Sequence, residues 1–290
     1  MSATAPCDSE IFACFRRARR IWAVGAVHGD AARLTALHVL LAARIERGDR
    51  LVYLGGYLGH GPDVAGTLDE LVSFRSLFLS RRNAFLGDIA FLRGSQEEMW
   101  QKLLQLQFAP NPREVLQWML EHGVGTTLQA YGIDTRQGIA AARDGAVALT
   151  RWTATLRAAI DARAGHRQLL TNLKRAAFNE EGTLLFVHAG IDPTKPLDLQ
   201  GDALWWGGSD ILDLAAPYAG FGRIVRGADR RQGGLLEGPY AASLDAGCGF
   251  GGRCWRPASP PMGPFSIRCR PSRDPALHAP ATIALRQMLA

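Results

Sequence analysis

Ile21-Trp22-Ala23-Val24, followed at once by Gly25-Ala26-Val27-His28-Gly29-Asp30, decides how this chain folds. Four apolar residues bounded by a glycine turn read as a fully buried strand. Asp30 then stands where a helix begins, because its carboxylate can accept one of the orphan N–H groups of a first turn. The helix it opens spans 31–47, with Leu34, Leu37, Leu41 and Ile45 on one face and Gly48 at its end.

The same strand–glycine–helix unit recurs outward from there. Residues 51–54 form a second strand ended by Gly55-Gly56, and Asp63 caps a helix carrying Leu68, Leu71, Val72 and Phe74. Residues 84–86 read as a third short strand, ended by Gly87, and Ser95 with Glu98 gives a capping-box start to the next helix. Such alternation implies parallel pairing through right-handed crossovers. Ligands then bind at the carboxyl ends of the strands, where Gly25, Gly55, Gly56, Gly59 and Gly87 fall. From about 95 to 174 the pattern is helical: Asn111 and Glu114 open one helix, Gly123 stops it, and 146–164 forms another. This block reads as an insertion folded onto the same domain. The last third is strand-rich, with 176–178 and 183–187 flanking the hairpin loop Asn179-Glu180-Glu181-Gly182. Further strands are expected at 223–226, 241–244, 253–256 and 265–268. Residues 1–19 read as an N-terminal extension and 20–290 as one domain.

An apolar content of 47% supplies a sizeable core, and 33 basic against 27 acidic residues leave a net charge of +6. That balance favours anionic partners, although dispersed arginines are also an ordinary solvated surface. Basic and aromatic residues do not interleave, so nucleic acid is not the expected partner. The five cysteines form no CxxC pair, which speaks against a disulfide framework and for a reducing, cytoplasmic setting. No apolar run has the length of a membrane span, and no secretion signal is read at the N-terminus.

Taken in order, the turns resemble the calcineurin-like metallophosphoesterases, within them the bacterial serine/threonine phosphatases close to diadenosine tetraphosphatases. Gly25-Ala26-Val27-His28-Gly29 resembles the family's Gly-Asp-x-His-Gly, and Gly55-Gly56-Tyr57-Leu58-Gly59-His60-Gly61-Pro62-Asp63 its Gly-Asp-x-x-Asp-Arg-Gly-Pro-Asp. Gly87-Asp88-Ile89-Ala90 is matched to Gly-Asn-His-Glu, and His188-Ala189-Gly190 is the family's His-Ala-Gly unchanged. Leu204-Trp205-Trp206-Gly207 follows as Leu-Trp-x-Arg, Arg226-Gly227-Ala228-Asp229 stands where Gly-His-Thr is expected, and Leu244-Asp245-Ala246-Gly247 resembles the closing Ile-Asp-x-Gly. The resemblance spans roughly residues 20–255 and implies an α/β fold of two mixed β-sheets packed face to face, flanked by helices, with a helical insertion walling the cleft.

The resemblance also implies a chemistry: two adjacent metal ions that bind the phosphate and the attacking hydroxide, an acid histidine oriented by an aspartate, and arginines clamping phosphate oxygens. Carried over position by position, most of it is missing. Ala26, Gly56 and Ala228 occupy ligand positions, and Gly56 is the bridging one. Ile89 and Ala90 replace the acid histidine and its neighbour, Gly59 replaces the orienting aspartate, and His60 and Gly207 replace the arginines. His28, Asp88 and His188 remain as vestigial ligands that a single manganese, iron or zinc ion would use. Each also has a structural reading, as a buried histidine bonded to backbone, a turn aspartate, or a histidine kept by its turn.

These losses imply a pseudophosphatase that binds or regulates, holding no metal or a single ion. Its expected partner is a phosphoprotein or nucleotide, met through Arg226 and Arg230. The alternative is a phosphoesterase acting on phosphoserine or phosphothreonine proteins, or on dinucleoside polyphosphates, with a reduced metal site.

Overall fold

The computed structural model describes residues 10–250 and the backbone of a strand at Phe265–Arg268. Its strands are β1 (Phe12–Phe15), β2 (Arg20–Val24), β3 (Asp49–Tyr53), β4 (Ile89–Phe91), β5 (Ala176–Asn179), β6 (Leu184–Val187), β7 (Arg223–Arg226), β8 (Leu236–Glu237), β9 (Ala241–Ser243) and β10 (Phe265–Arg268). One sheet runs β10-β2-β3-β4, the other β1-β5-β6-β7-β9-β8. Pairings β2–β3–β4 and β6–β7–β9 are parallel, while β5–β6 is the expected hairpin.

Period-two alternation explains why the sheets stack. Ile21, Ala23 and Val52 point to a shared core with Ala177, Leu184, Phe186 and Val225 of the other sheet. Trp22, Val24, Leu51 and Tyr53, one residue out of phase, pack instead under the helices. Strands buried on both faces must be apolar throughout, which is why they appear as runs in the sequence.

The helices are α1 (Ala31–Arg44), α2 (Val64–Leu79), α3 (Ser95–Leu103), α4 (Pro112–Met119), α5 (Gly125–Ala130), α6 (Thr135–Asp144), α7 (Ala146–Asp161), α8 (His166–Thr171) and α9 (Ala203–Trp206). Asp30 and Asp63 cap α1 and α2 by accepting from the N–H groups of Arg33 and Gly66. α1 stops at Arg44, three residues before the expected end, because the chain turns extended at Ile45. Gly123, at φ +102°, breaks the chain between α4 and α5. The helical block leaves from the end of β4 and returns beside it: Lys174 N donates to Phe91 O, and Arg93 N to Lys174 O.

Several expectations change. Residues 12–15 are not extension but an edge strand, paired parallel to β5, with Phe12 and Phe15 filling cores on opposite faces. A four-residue strand beside a basic cluster carries too little periodicity to read. The third strand is β4, not 84–86, where Phe85 and Leu86 are exposed. Cys14 on β1 is disulfide-bonded, a pairing that sequence spacing, which registers only local pairs, does not reveal. The strand expected at 253–256 lies outside the described residues. Among the described residues no helix is long and apolar enough to cross a membrane.

Candidate functional site

Parallel strands bring their carboxyl ends to one edge, and backbone hydrogen bonds lock the loops leaving them. Val27 N and His28 N both donate to Gly56 O at 3.0 and 2.7 Å, joining the loops after β2 and β3. Ala26 N donates to Gly227 O at 2.9 Å, and Ala228 N to His188 O at 2.8 Å, tying in β6 and β7 from the other sheet. Leu244 N donates to Arg226 O, bringing the loop after β9 to the same place.

At the centre is an empty side-chain position. A Cβ on Gly56 would lie 3.0 Å from the Cβ of Ala26 and 3.3 Å from Cε1 of both His28 and His188. Position 56 therefore faces both histidines at once, and the sequence puts no carboxylate at 26 or 56. Gly56 has φ +74°, so its loop keeps a left-handed turn that glycine adopts freely.

A single carboxylate holds these loops. Glu97, 1% exposed, accepts from Gly56 N (2.9 Å) and Gly94 N (2.8 Å) on Oε2, and from Tyr57 N (2.7 Å) and Leu58 N (3.0 Å) on Oε1. Gly94 is the N-cap of α3 and Glu97 its third residue, so the reach-back expected of Ser95 and Glu98 runs one residue earlier.

Electrostatics keep the histidines neutral. Burial pushes the His28 pKa down to about 3, assisted by His188 and His60 beside it and opposed by a bond to the Leu58 backbone. Burial also lowers His188, against the pull of Glu97 and of its Nδ1–H bond to Leu54 O at 2.8 Å. His60 is lowered by burial and by His122. Its ring lies 5.6 Å from that of His28 and 4.3 Å from that of Phe250, and Gln96 Nε2–H donates to its Nε2 at 3.1 Å. Phe250 also meets His28 edge-on at 4.8 Å, covering the centre with an apolar ring. Asp245, raised by burial, accepts from Asp229 N and Gly247 N.

The structure thus brings together Ala26, His28, Gly56, Gly59, His60, His188 and Ala228, with Gly207 beside Ala189 at the rim. It excludes Asp88. That residue precedes β4, at the opposite end of the strand from the site. It accepts from Phe85 N and pairs with Arg50 at 3.2 Å. Ile89 likewise sits within β4 in the helix-covered core. The third motif belongs one strand-length later, at Gly94-Ser95-Gln96-Glu97, after β4 has ended. The signal that finds it is the apolar run Ile89-Ala90-Phe91-Leu92 followed, after Arg93, by Gly94, close to the pattern of the first two strands. On that register, Ser95 would stand where the resemblance implies the asparagine ligand and Gln96 where it implies the acid histidine. A Cβ on Gly59 would fall 2.5 Å from Gln96 Oε1, too close for contact, so the Gln96 side chain occupies the space beside position 59.

Arg226 is also corrected as an anion-binding group. It is buried, and Asp210 (3.2 Å) and Asp229 already meet its charge. Arg230 is exposed in the following turn. The residues present do not fit a pair of metal ions: positions 26, 56, 95 and 228 supply no strong ligand, and His28 and His188 remain. Among the described residues no group of three or more His, Cys, Asp or Glu side chains is arranged to hold one.

The fold has known counterparts. A candidate diadenosine tetraphosphatase superposes with a TM-score of 0.50 at 19% identity, covering 88% of this chain and 92% of that one. A cold-active protein tyrosine phosphatase superposes with a TM-score of 0.51 at 13% identity, covering 88% and 74%. No family model matches the sequence, and neither does any curated protein. The chain has the metallophosphoesterase fold, an α/β arrangement of two sheets with flanking helices.

Proposed function

We propose that this chain is a pseudophosphatase, a metallophosphoesterase-fold protein that acts by binding and not by hydrolysis. The observation that carries the reading is Gly56. The position facing both His28 and His188 has no side chain, and its neighbour at 26 is alanine. Two metal ions need a shared carboxylate to be held a short distance apart, and among the described residues no group of His, Cys, Asp or Glu is arranged to replace it. With Asp88 at the other end of β4, the reduced site of the competing phosphoesterase reading loses its third ligand.

The partner proposed for such a module is a phosphorylated protein or a nucleotide, with the exposed Arg230 as the group left to meet its phosphate. The deciding assay measures turnover of p-nitrophenyl phosphate and a phosphopeptide in excess manganese. The expected rate equals that of His188→Ala. Manganese-dependent turnover that His188→Ala abolishes would overturn the proposal.

A further inference from the structure

Behind Glu97, away from the loops it holds, α3, α7 and α8 enclose a cavity of about 190 Å³. Its walls are Trp100, Leu104, Ile160 and Leu170, with the stem of Arg157 beside them. The cavity is open at one side and its exposed wall is mostly apolar, a surface that favours a small apolar group. Its length follows from the helix that forms one wall. Glu97 and Leu104 lie two turns apart along α3, roughly 10 Å. Glu97 closes one end, and Arg157, whose Nη2–H donates to Leu104 O, stands at the other.

The charge at that outer end is unmatched. Among the described residues Arg157 bonds to neutral acceptors, Leu104 O and Thr153 Oγ1. Arg167, which also lines the cavity, is paired with Asp161. A half-buried guanidinium without a carboxylate, at the mouth of an apolar slot, complements one kind of molecule: an apolar tail with an anionic head. The anion cannot enter head first, because Glu97 is itself a buried carboxylate at the inner end.

We propose that this cavity is a binding site for a small monocarboxylate with an unbranched apolar tail, its tail against Trp100, Ile160 and Leu170 and its head on Arg157. The site is separate from the loops at the strand ends and does not depend on whether those loops hydrolyse anything.

Calorimetric titration of the full chain at neutral pH with octanoate tests it. Saturable binding at one site is expected, weaker by about ten-fold or more for octan-1-ol, which keeps the tail and loses the charge. Arg157→Gln should weaken octanoate to the level of the alcohol, and Ile160→Trp should fill the slot and abolish both. Failure of octanoate to saturate the wild-type chain would overturn the proposal. So would equal affinity for acid and alcohol, a comparison that needs no variant to fold. Octanoate binding unchanged in a folded Arg157→Gln protein would sink the assignment of the head group.

Discussion

Glu97 shows how one residue can take over an organising task. Its two oxygens accept four backbone N–H groups from two loops, at a depth where water cannot substitute. Glu97→Gln turns one oxygen into a donor facing donors. Leaving buried N–H groups unpaired costs about 1–3 kcal/mol each, so a loss on the order of 3 kcal/mol is expected in urea unfolding. A loss under ~1 kcal/mol would show that the loops hold without it. His28 gives a second test at this scale. Its pKa falls from the ordinary 6.5 to about 3 in the folded chain, so the unfolded chain takes the proton first on acidification. Stability from this group is therefore full above pH 6.5 and declines as pH falls from there toward 3, by about 1.4 kcal/mol per pH unit. Ring resonances followed by NMR should show His28 neutral at pH 5, and a midpoint near 6.5 would refute the assignment.

At the scale of elements, α2 is fixed on both sides by a relay of the same design. Glu70 accepts from His38 Nδ1–H of α1, and His38 Nε2 accepts from Tyr53 OH at 2.8 Å. The adjacent Asp69 accepts from His166 Nε2–H of α8 at 2.9 Å, and His166 Nδ1 accepts from Tyr131 OH at 2.7 Å. Each histidine is neutral with a defined tautomer, and burial lowers the pKa of both. Consecutive acidic residues on a helix point about 100° apart. One pair can therefore clamp two neighbours, which packing of apolar stripes alone would leave free to slide. Glu70→Ala strands His38 Nδ1–H in the core and should cost about 1–3 kcal/mol in urea unfolding, while Glu70→Gln should recover most of it. Equal losses for the two substitutions would mean that the acceptor is not what matters.

Across the whole molecule, the proposed function amounts to a metal centre's backbone frame kept without its ligands. If that is right, side chains alone should rebuild it. The combined substitution Ala26→Asp, Gly56→Asp, Ser95→Asn and Ala228→His is expected to give a folded protein that retains manganese after dialysis, as elemental analysis would record, while the wild-type chain retains none. Aspartate tolerates the left-handed conformation at 56 better than most residues. A folded variant that stays metal-free would show that the loops have moved from the geometry a metal needs.

Local chemistry written into the sequence determined the strands at 21–24 and 51–54, the caps Asp30 and Asp63, the hairpin around Asn179-Glu180-Glu181-Gly182, and the absence of carboxylates at 26 and 56. Apolar runs, capping carboxylates and missing side chains are properties of a few adjacent residues. Tertiary structure alone decided that His28 and His188, 160 positions apart in the sequence, face one point, since that depends on two sheets stacking face to face. It also decided that β4 ends after Phe91, which removes Asp88 from the site and installs Glu97, and that Arg226 is already neutralised by Asp210 and Asp229. Whether a charged side chain is available or spoken for is settled by what folds against it, and no spacing along the chain carries that information.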